Sequence, residues 1–244
     1  MSTKIRRDET ASNFGYYDDA AREYVVTDPR TPTKWVNYIG TLDFGGFVDQ
    51  TGGLNICKKD PANNRITGYK IDTPQNAMRG NTLYCRIKNA DGTYTVFSPF
   101  FTPTLTPYDK FECRMGLGYN KWLVRMNGLE FEIKMFVPAG ASQVVTDVTV
   151  RNISAPKNVQ VDVIPLVEFS HPDALKNLTN ADWVPQTMKG KAVGNVITQY
   201  PHMAEGLRAN FLTANRPMDS FTTDRNKFLG SHGYGTYAEP GGLA

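Results

Sequence analysis

The segment Leu129-Glu130-Phe131-Glu132-Ile133-Lys134-Met135-Phe136-Val137 alternates apolar and mostly charged side chains for nine residues. That period of two is the pattern of a half-buried β-strand, because successive side chains point to opposite faces of a sheet. Immediately before it, Asn127-Gly128 joins it to Lys121–Met126, and this dipeptide tolerates the positive φ angles of a tight hairpin. Asp91-Gly92 does the same between Leu83–Lys88 and Tyr94–Phe97. Two further runs, Val144–Arg151 and Val159–Phe169, read as a second pair joined by the turn-like Ser154-Ala155-Pro156-Lys157-Asn158, with Val159, Val161, Val163, Val167 and Phe169 on one face.

Further strand candidates are Glu23–Thr27, Trp35–Ile39, Gly45–Asp49, Leu54–Lys58, Arg65–Ile71, Lys110–Leu117, Val193–Thr198 and Leu207–Thr213. About a dozen short strands separated by turn signals predict an all-β chain folded as a large antiparallel β-sandwich. Helical periodicity is scarce: Asp18–Tyr24 is too short, and His171–Asn180 holds one or two turns after Pro172. No internal repeat or linker divides the chain. The expected organisation is a flexible segment over residues 1–12 and a single sandwich domain over 13–244. The glycine-rich stretch from Phe228 to Ala244 offers no closing strand and reads as a loop cut in its middle, so the sandwich is expected to lack its last strands.

Composition excludes several classes. Over 244 residues the 40% hydrophobic and 21% charged content is that of an ordinary globular chain. No run approaches the roughly 18 apolar residues of a membrane helix, and no apolar stretch follows the basic residues of Met1–Glu9, so these do not read as a secretory signal. A net charge of +3 is too weak to imply nucleic acid. Cys57, Cys85 and Cys113 have no close Cys or His neighbours in sequence, which disfavours zinc and fits reduced thiols in a cytoplasmic protein.

Catalytic signatures are sparse. The three histidines, His171, His202 and His232, form no HExxH or HxH, and no GxSxG occurs. Gly45-Gly46 and Gly52-Gly53 lack the spacing of a phosphate loop and open no helix, so they read as turns and places of close backbone approach. Among the carboxylates, Glu130 and Glu132 are expected on a solvent face. Glu168, within the apolar Val167-Glu168-Phe169, reads as a carboxylate bonded to a neighbouring loop rather than as an acid catalyst. The first fifty residues are rich in rings, and Trp35, Asn37, Asp43, Asp49 and Gln50 could furnish the aromatic faces and planar polar groups of a sugar site. Packing within a sandwich explains the same residues equally well.

Longer segments are more specific. Phe14-Gly15-Tyr16-Tyr17-Asp18-Asp19-Ala20-Ala21-Arg22-Glu23-Tyr24-Val25-Val26-Thr27 resembles the "G-x-F-D-D-x-x-R-E-Y-V-I-T" signature of glycoside hydrolase family 94, the family of cellobiose and chitobiose phosphorylases. Thr31–Gly40 is similar to "T-P-x-P-W-x-N-Y-L-G", Gln50-Thr51-Gly52-Gly53 to the "A/T-G-G" loop, and Arg65-Ile66-Thr67 to "R-x-T". Phe97-Ser98-Pro99, Met115–Tyr119, Phe136-Val137-Pro138, Val167-Glu168-Phe169 and Asp224–Gly230 follow in family order. Leu54, Phe97 and Met115 depart from it, standing where the family usually has an aromatic, a tryptophan and a histidine.

The resemblance implies the N-terminal β-sandwich of such an enzyme, of the supersandwich or galactose mutarotase-like type. In the family, an (α/α)6 barrel further along the chain carries the catalytic Asp, so the resemblance puts no catalytic residue in this chain. The activity implied is inverting phosphorolysis of a β-linked disaccharide to α-glucose 1-phosphate, with inorganic phosphate as co-substrate and no cofactor or metal. Cellobiose is the leading substrate; chitobiose, laminaribiose, cellobionic acid and β-1,2-glucan oligomers are alternatives. The resemblance also implies a homodimer in which sandwich loops approach the active site of the neighbouring subunit. On that basis Gln50, Thr51, Gly52 and Gly53 are the expected substrate-facing loop, with Gln50 bonding a sugar hydroxyl, and Trp35, Asn37 and Tyr38 supporting it. A stand-alone carbohydrate-binding or structural sandwich is the competing expectation.

Overall fold

A computed structural model describes residues 14–71, 73–179, 183–202 and 208–244. Its strands are β1 Gly15–Asp18, β2 Glu23–Val26, β3 Val36–Gly40, β4 Phe44–Asp49, β5 Leu54–Lys58, β6 Asn81–Lys88, β7 Tyr94–Phe97, β8 Lys110–Gly116, β9 Tyr119–Met126, β10 Leu129–Phe136, β11 Val145–Asn152, β12 Val161–Val167, β13 Met188–Val193, β14 Val196–Pro201 and β15 Asn210–Thr213. Among the described residues there are also three short helices, α1 Ala174–Thr179, α2 Val184–Thr187 and α3 Arg225–Leu229, and two 3-10 turns. The expected flexible segment 1–12, Asn180 of the expected helix and Leu207 of the expected last strand lie outside the described residues.

One layer is a six-stranded antiparallel sheet in the order β1-β2-β8-β9-β10-β11. Alternation in β10 sends Leu129, Phe131, Ile133 and Met135 inward, each at most 1% exposed. Burying each is worth about 1.5–3 kcal/mol. They meet Trp122, Val124 and Met126 of β9, and on the facing side Ile39, Val48 and Ile56 of the sheet β3-β4-β5 and Leu83, Cys85 and Phe97 of the sheet β12-β6-β7. These three sheets form an antiparallel two-layer sandwich around the main core, as the alternation predicts, and a fourth antiparallel sheet follows in the order β13-β14-β15. At the β9–β10 turn, Asn127 and Gly128 have φ of 52° and 72°, the double positive φ that this dipeptide provides.

The pairing expected between the Val144 and Val159 runs does not form. β11 pairs with β10, from Phe136↔Val145 to Leu129↔Asn152, whereas β12 pairs with β6 in the other layer. Between them, the N–H groups of Ile153, Ser154 and Ala155 all donate to the carbonyl of Gly128, at 3.0, 3.0 and 3.2 Å. That anchor turns the chain out of the first sheet, so the Ser154–Asn158 segment is a crossover between layers, not a hairpin. Arg65–Ile71 is likewise not a strand. Arg65 and Thr67 make isolated bridges to Cys57 and Phe169, and the Thr67 hydroxyl takes the place of a backbone partner, accepting from Ile56 N at 2.9 Å and donating to the Leu54 carbonyl.

The glycine-rich end is docked onto the sheet β12-β6-β7. Asp224 caps α3 by accepting from the N–H groups of Asn226 and Lys227, and Gly230 closes it at φ 70°. Phe228 packs on Tyr84, with ring centroids 5.5 Å apart, and Leu243 is buried beside them. Glu168 accepts from the Tyr237 hydroxyl and from Arg225 Nη2 at 3.0 Å, so it bonds a neighbouring loop as its apolar surroundings suggest. On the outer face of the six-stranded sheet, Glu130 pairs with Arg125 at 2.8 Å and with Arg151 at 3.4 Å, in keeping with a solvent face. Among the described residues no helix is long and apolar enough to cross a membrane.

Candidate functional site

The loop from Asp49 to Gly53 joins β4 to β5, and its own backbone closes it: Asp49 N–H donates to the Gly53 carbonyl at 2.8 Å, and Gly52 N–H to the Asp49 carbonyl at 3.1 Å. Gly52 adopts φ +79°, and a Cβ there would lie 2.5 Å from the Phe100 ring, so both dihedral and space require glycine. Gly53 is equally confined, since its Cβ would lie 2.3 Å from the Asp49 carboxylate.

Asp49 is the hub. Its Oδ1 accepts from Thr51 N–H at 2.8 Å, the Thr51 hydroxyl at 2.8 Å and Gly53 N–H at 3.1 Å, while Oδ2 accepts from the Tyr69 hydroxyl at 3.1 Å. Two cations stand around this fully buried carboxylate. Lys34 Nζ donates to the Thr51 hydroxyl, and Arg79, itself buried, donates to the Thr73 hydroxyl and carbonyl and lies 5.7 Å from the Tyr69 ring centroid. Burial pushes the Lys34 ammonium down to about 8; Asp49 opposes that drop and Arg79 adds to it. Burial, with Asp49 beside it, also raises the Tyr69 phenol.

Of the six residues singled out from sequence, Gln50, Thr51, Gly52 and Gly53 form one buried loop, Trp35 meets it through Gln50, and Asn37 bonds to the β8–β9 turn instead. Gln50 is 1% exposed. Its Oε1 accepts from Trp35 N–H at 3.0 Å, and its two amide hydrogens go to the Pro29 carbonyl at 3.1 Å and the Thr31 hydroxyl. The family resemblance assigns this amide to a sugar hydroxyl; in the structure it ties the Pro29–Trp35 approach to the loop. Thr51 is also buried and engaged, and Gly52 receives Asn81 Nδ2 on its carbonyl at 3.0 Å. Trp35 packs edge-on against Phe14 and Tyr24. Asn37 donates to the carbonyls of Gly116 and Tyr119 at 2.8 and 2.9 Å, pinning β3 to the β8–β9 turn. Tyr38 does not support the loop: it is 74% exposed.

Sequence reasoning missed Lys34, Tyr69, Arg79 and Trp122, which complete the cluster. One signal was available: Lys34 stands at the second proline of the "T-P-x-P-W" pattern. Chemically, both carboxylate oxygens of Asp49 are engaged in holding the loop, accepting from Thr51, Gly53 and Tyr69. The cluster makes a rigid, glycine-shaped loop whose polar groups are satisfied internally.

Architecture and loop together define an antiparallel supersandwich domain whose buried polar residues brace a turn. The chain belongs to glycoside hydrolase family 94: the family model described as "Glycosyl hydrolase 94, supersandwich domain" matches residues 22–244. It is 29% identical over 224 residues to N,N'-diacetylchitobiose phosphorylase of Vibrio furnissii, covering 90% of this chain and 27% of that protein. It is 31% identical over 163 residues to the protein of the same name from Vibrio proteolyticus, covering 64% of this chain and 19% of that one. Solabiose phosphorylase of Paenibacillus borealis is 25% identical over 232 residues, with 91% and 29% covered. The chain therefore spans less than a third of the length of these curated relatives.

Proposed function

We propose that this chain is the supersandwich part of an inverting phosphorylase of β-linked disaccharides, and that it supports the active site without catalysing the reaction itself. The family match across residues 22–244, together with relatives named as disaccharide phosphorylases, carries this reading. In the proposed reaction an acid protonates the glycosidic oxygen while inorganic phosphate attacks the anomeric carbon from the opposite face, giving an α-sugar 1-phosphate. Phosphate occupies the place that a base-activated water holds in an inverting hydrolase.

The buried Gln50–Gly53 loop fits the part of an internal brace rather than a contact surface. Its shape is set from within by Asp49, Gln50 and Trp35, so the elements packed over it are held in one conformation at little ordering cost. We place the protein in the cytoplasm as a homodimer. Its substrate is a β-linked disaccharide, with cellobiose and N,N'-diacetylchitobiose as the two to compare. The test is to incubate the complete translated product of the gene with inorganic phosphate and each disaccharide, and to follow sugar 1-phosphate by 31P NMR. An α-configured sugar 1-phosphate from either one supports the reading; a β-configured product, or hydrolysis with no phosphate ester formed, overturns it.

A further inference from the structure

A groove of about 310 Å³ lies on the outward face of the six-stranded sheet. Tyr119 and Lys121 of β9, Glu132 and Lys134 of β10, and Asp147 and Thr149 of β11 line it, with Glu23 of β2 at its edge. Other charges on this face are consumed in pairs. Glu130 takes Arg125 and Arg151, Glu112 takes Lys110 and Arg114, and within the groove Lys121 reaches Glu132 at 2.8 Å.

Lys134 and Asp147 break that rule. They are direct cross-strand partners in the β10–β11 register, yet they form no ion pair among the described residues. Instead the Lys134 ammonium sits 4.6 Å from the Tyr119 ring centroid and 5.6 Å from that of Phe136, a cation–π arrangement. The Tyr119 ring is itself fixed, because its hydroxyl donates to Glu23 at 2.6 Å and Glu23 is held by Arg114 at 2.9 Å. Asp147, opposite, is exposed and lines the groove.

Charge selects the ligand. The groove lining carries Glu23, Glu132 and Asp147 against Lys121 and Lys134, one carboxylate in excess, and the ion pairs around it, which add Asp18, Glu112 and Glu130 and Lys110, Arg114, Arg125 and Arg151, bring carboxylates and cations level. Neither an anion nor a cation is favoured by such a balance. What suits it is a neutral molecule with closely spaced hydroxyls, since each hydroxyl can donate to a carboxylate and accept from an ammonium. Strands stand about 4.8 Å apart, which lets one ring's neighbouring hydroxyls reach groups on both β10 and β11. We infer that this groove is a binding site for a single neutral pyranose unit, whose vicinal hydroxyls bridge Lys134 and Asp147 with Thr149 beside them.

The test is binding rather than turnover, so it stands or falls apart from the phosphorylase reading. Methyl β-D-glucopyranoside is titrated into the 244-residue chain and followed by saturation-transfer difference NMR, with inorganic phosphate as a competitor. The expected result is saturable binding in the millimolar range, weakened at least about fivefold in Asp147→Ala and in Lys134→Met, and untouched by phosphate. Both side chains are exposed, and an unchanged thermal midpoint in each variant shows that the fold is kept. No saturable binding up to about 50 mM, binding that survives both substitutions, or displacement by phosphate would each overturn the inference.

Discussion

The indole Nε1 of Trp122 donates to the carbonyl of Gln50 at 2.8 Å. Trp122 is fully buried on β9, in the middle of the six-stranded sheet, and Gln50 opens the glycine loop of the facing layer. One bond thus ties the loop to the centre of the sandwich. Phe100 completes the bracket, lying 4.7 Å from the Trp122 ring and against Gly52. Replacing Trp122 by Phe leaves the Gln50 carbonyl buried without that donor, and about 1–3 kcal/mol of stability should be lost. Urea unfolding of the two proteins measures this, and an unchanged midpoint would mean that the loop is not held through the indole.

Two glycines separate backbone strain from steric exclusion. Gly92 has φ +88° with nothing within 4 Å of where a Cβ would lie, whereas Gly52 has φ +79° with the Phe100 ring 2.5 Å from that point. Gly92→Ala should cost about 1–2 kcal/mol, the left-handed penalty alone. Gly52→Ala should cost a further 1–3 kcal/mol or so for overpacking. Equal losses in denaturant titrations of the two variants would contradict the geometry given for the loop.

Lys34 gives the loop cluster a pH signature. Its ammonium is held at about 8 in the folded chain, below its ordinary range. Between that value and about 10.4 the unfolded chain binds more protons than the folded one, so this group's contribution to stability rises with pH. The stability of the native chain minus that of Lys34→Met should therefore climb from pH 8 to 9.5, by at most about 1.4 kcal/mol per pH unit. Taking the difference removes the opposing effect of the raised Cys57 thiol, which both proteins share. A flat difference across that window would place Lys34 in solvent.

Glu168 clamps the C-terminal segment through Tyr237 and Arg225. Glu168→Gln keeps the volume but removes the charge that both donors share, and amides of residues 225–244 should exchange with deuterium several-fold faster. Phe228→Ala, which empties the contact with Tyr84, should accelerate them more. Uniform exchange in all three proteins would mean that the segment is held by other contacts.

Much of the sandwich was legible because β8, β9 and β10 follow one another through tight turns, and each alternates cleanly between core and solvent. Local pattern sufficed there. It failed where partner choice is a long-range matter: β11 and β12 both carry several valines, but β12 finds its partner in the distant β6, and the Gly128 carbonyl, from an earlier turn, anchors the crossover between them. β13 reads Met-Lys-Gly-Lys-Ala-Val, with no apolar stripe, and exists through its pairing with β14. The Gln50–Gly53 loop was found from its motif, but its inward orientation was not, since Lys34, Tyr69, Arg79 and Trp122 reach it from distant parts of the chain.

The most direct measurement is phosphate release from α-glucose 1-phosphate with glucose or N-acetylglucosamine as acceptor, made with this chain alone and with the complete translated product of its gene. No release from the chain alone and steady release from the complete product is the expected outcome. Turnover by the chain alone would contradict it, because the catalytic acid would then have to lie among these 244 residues.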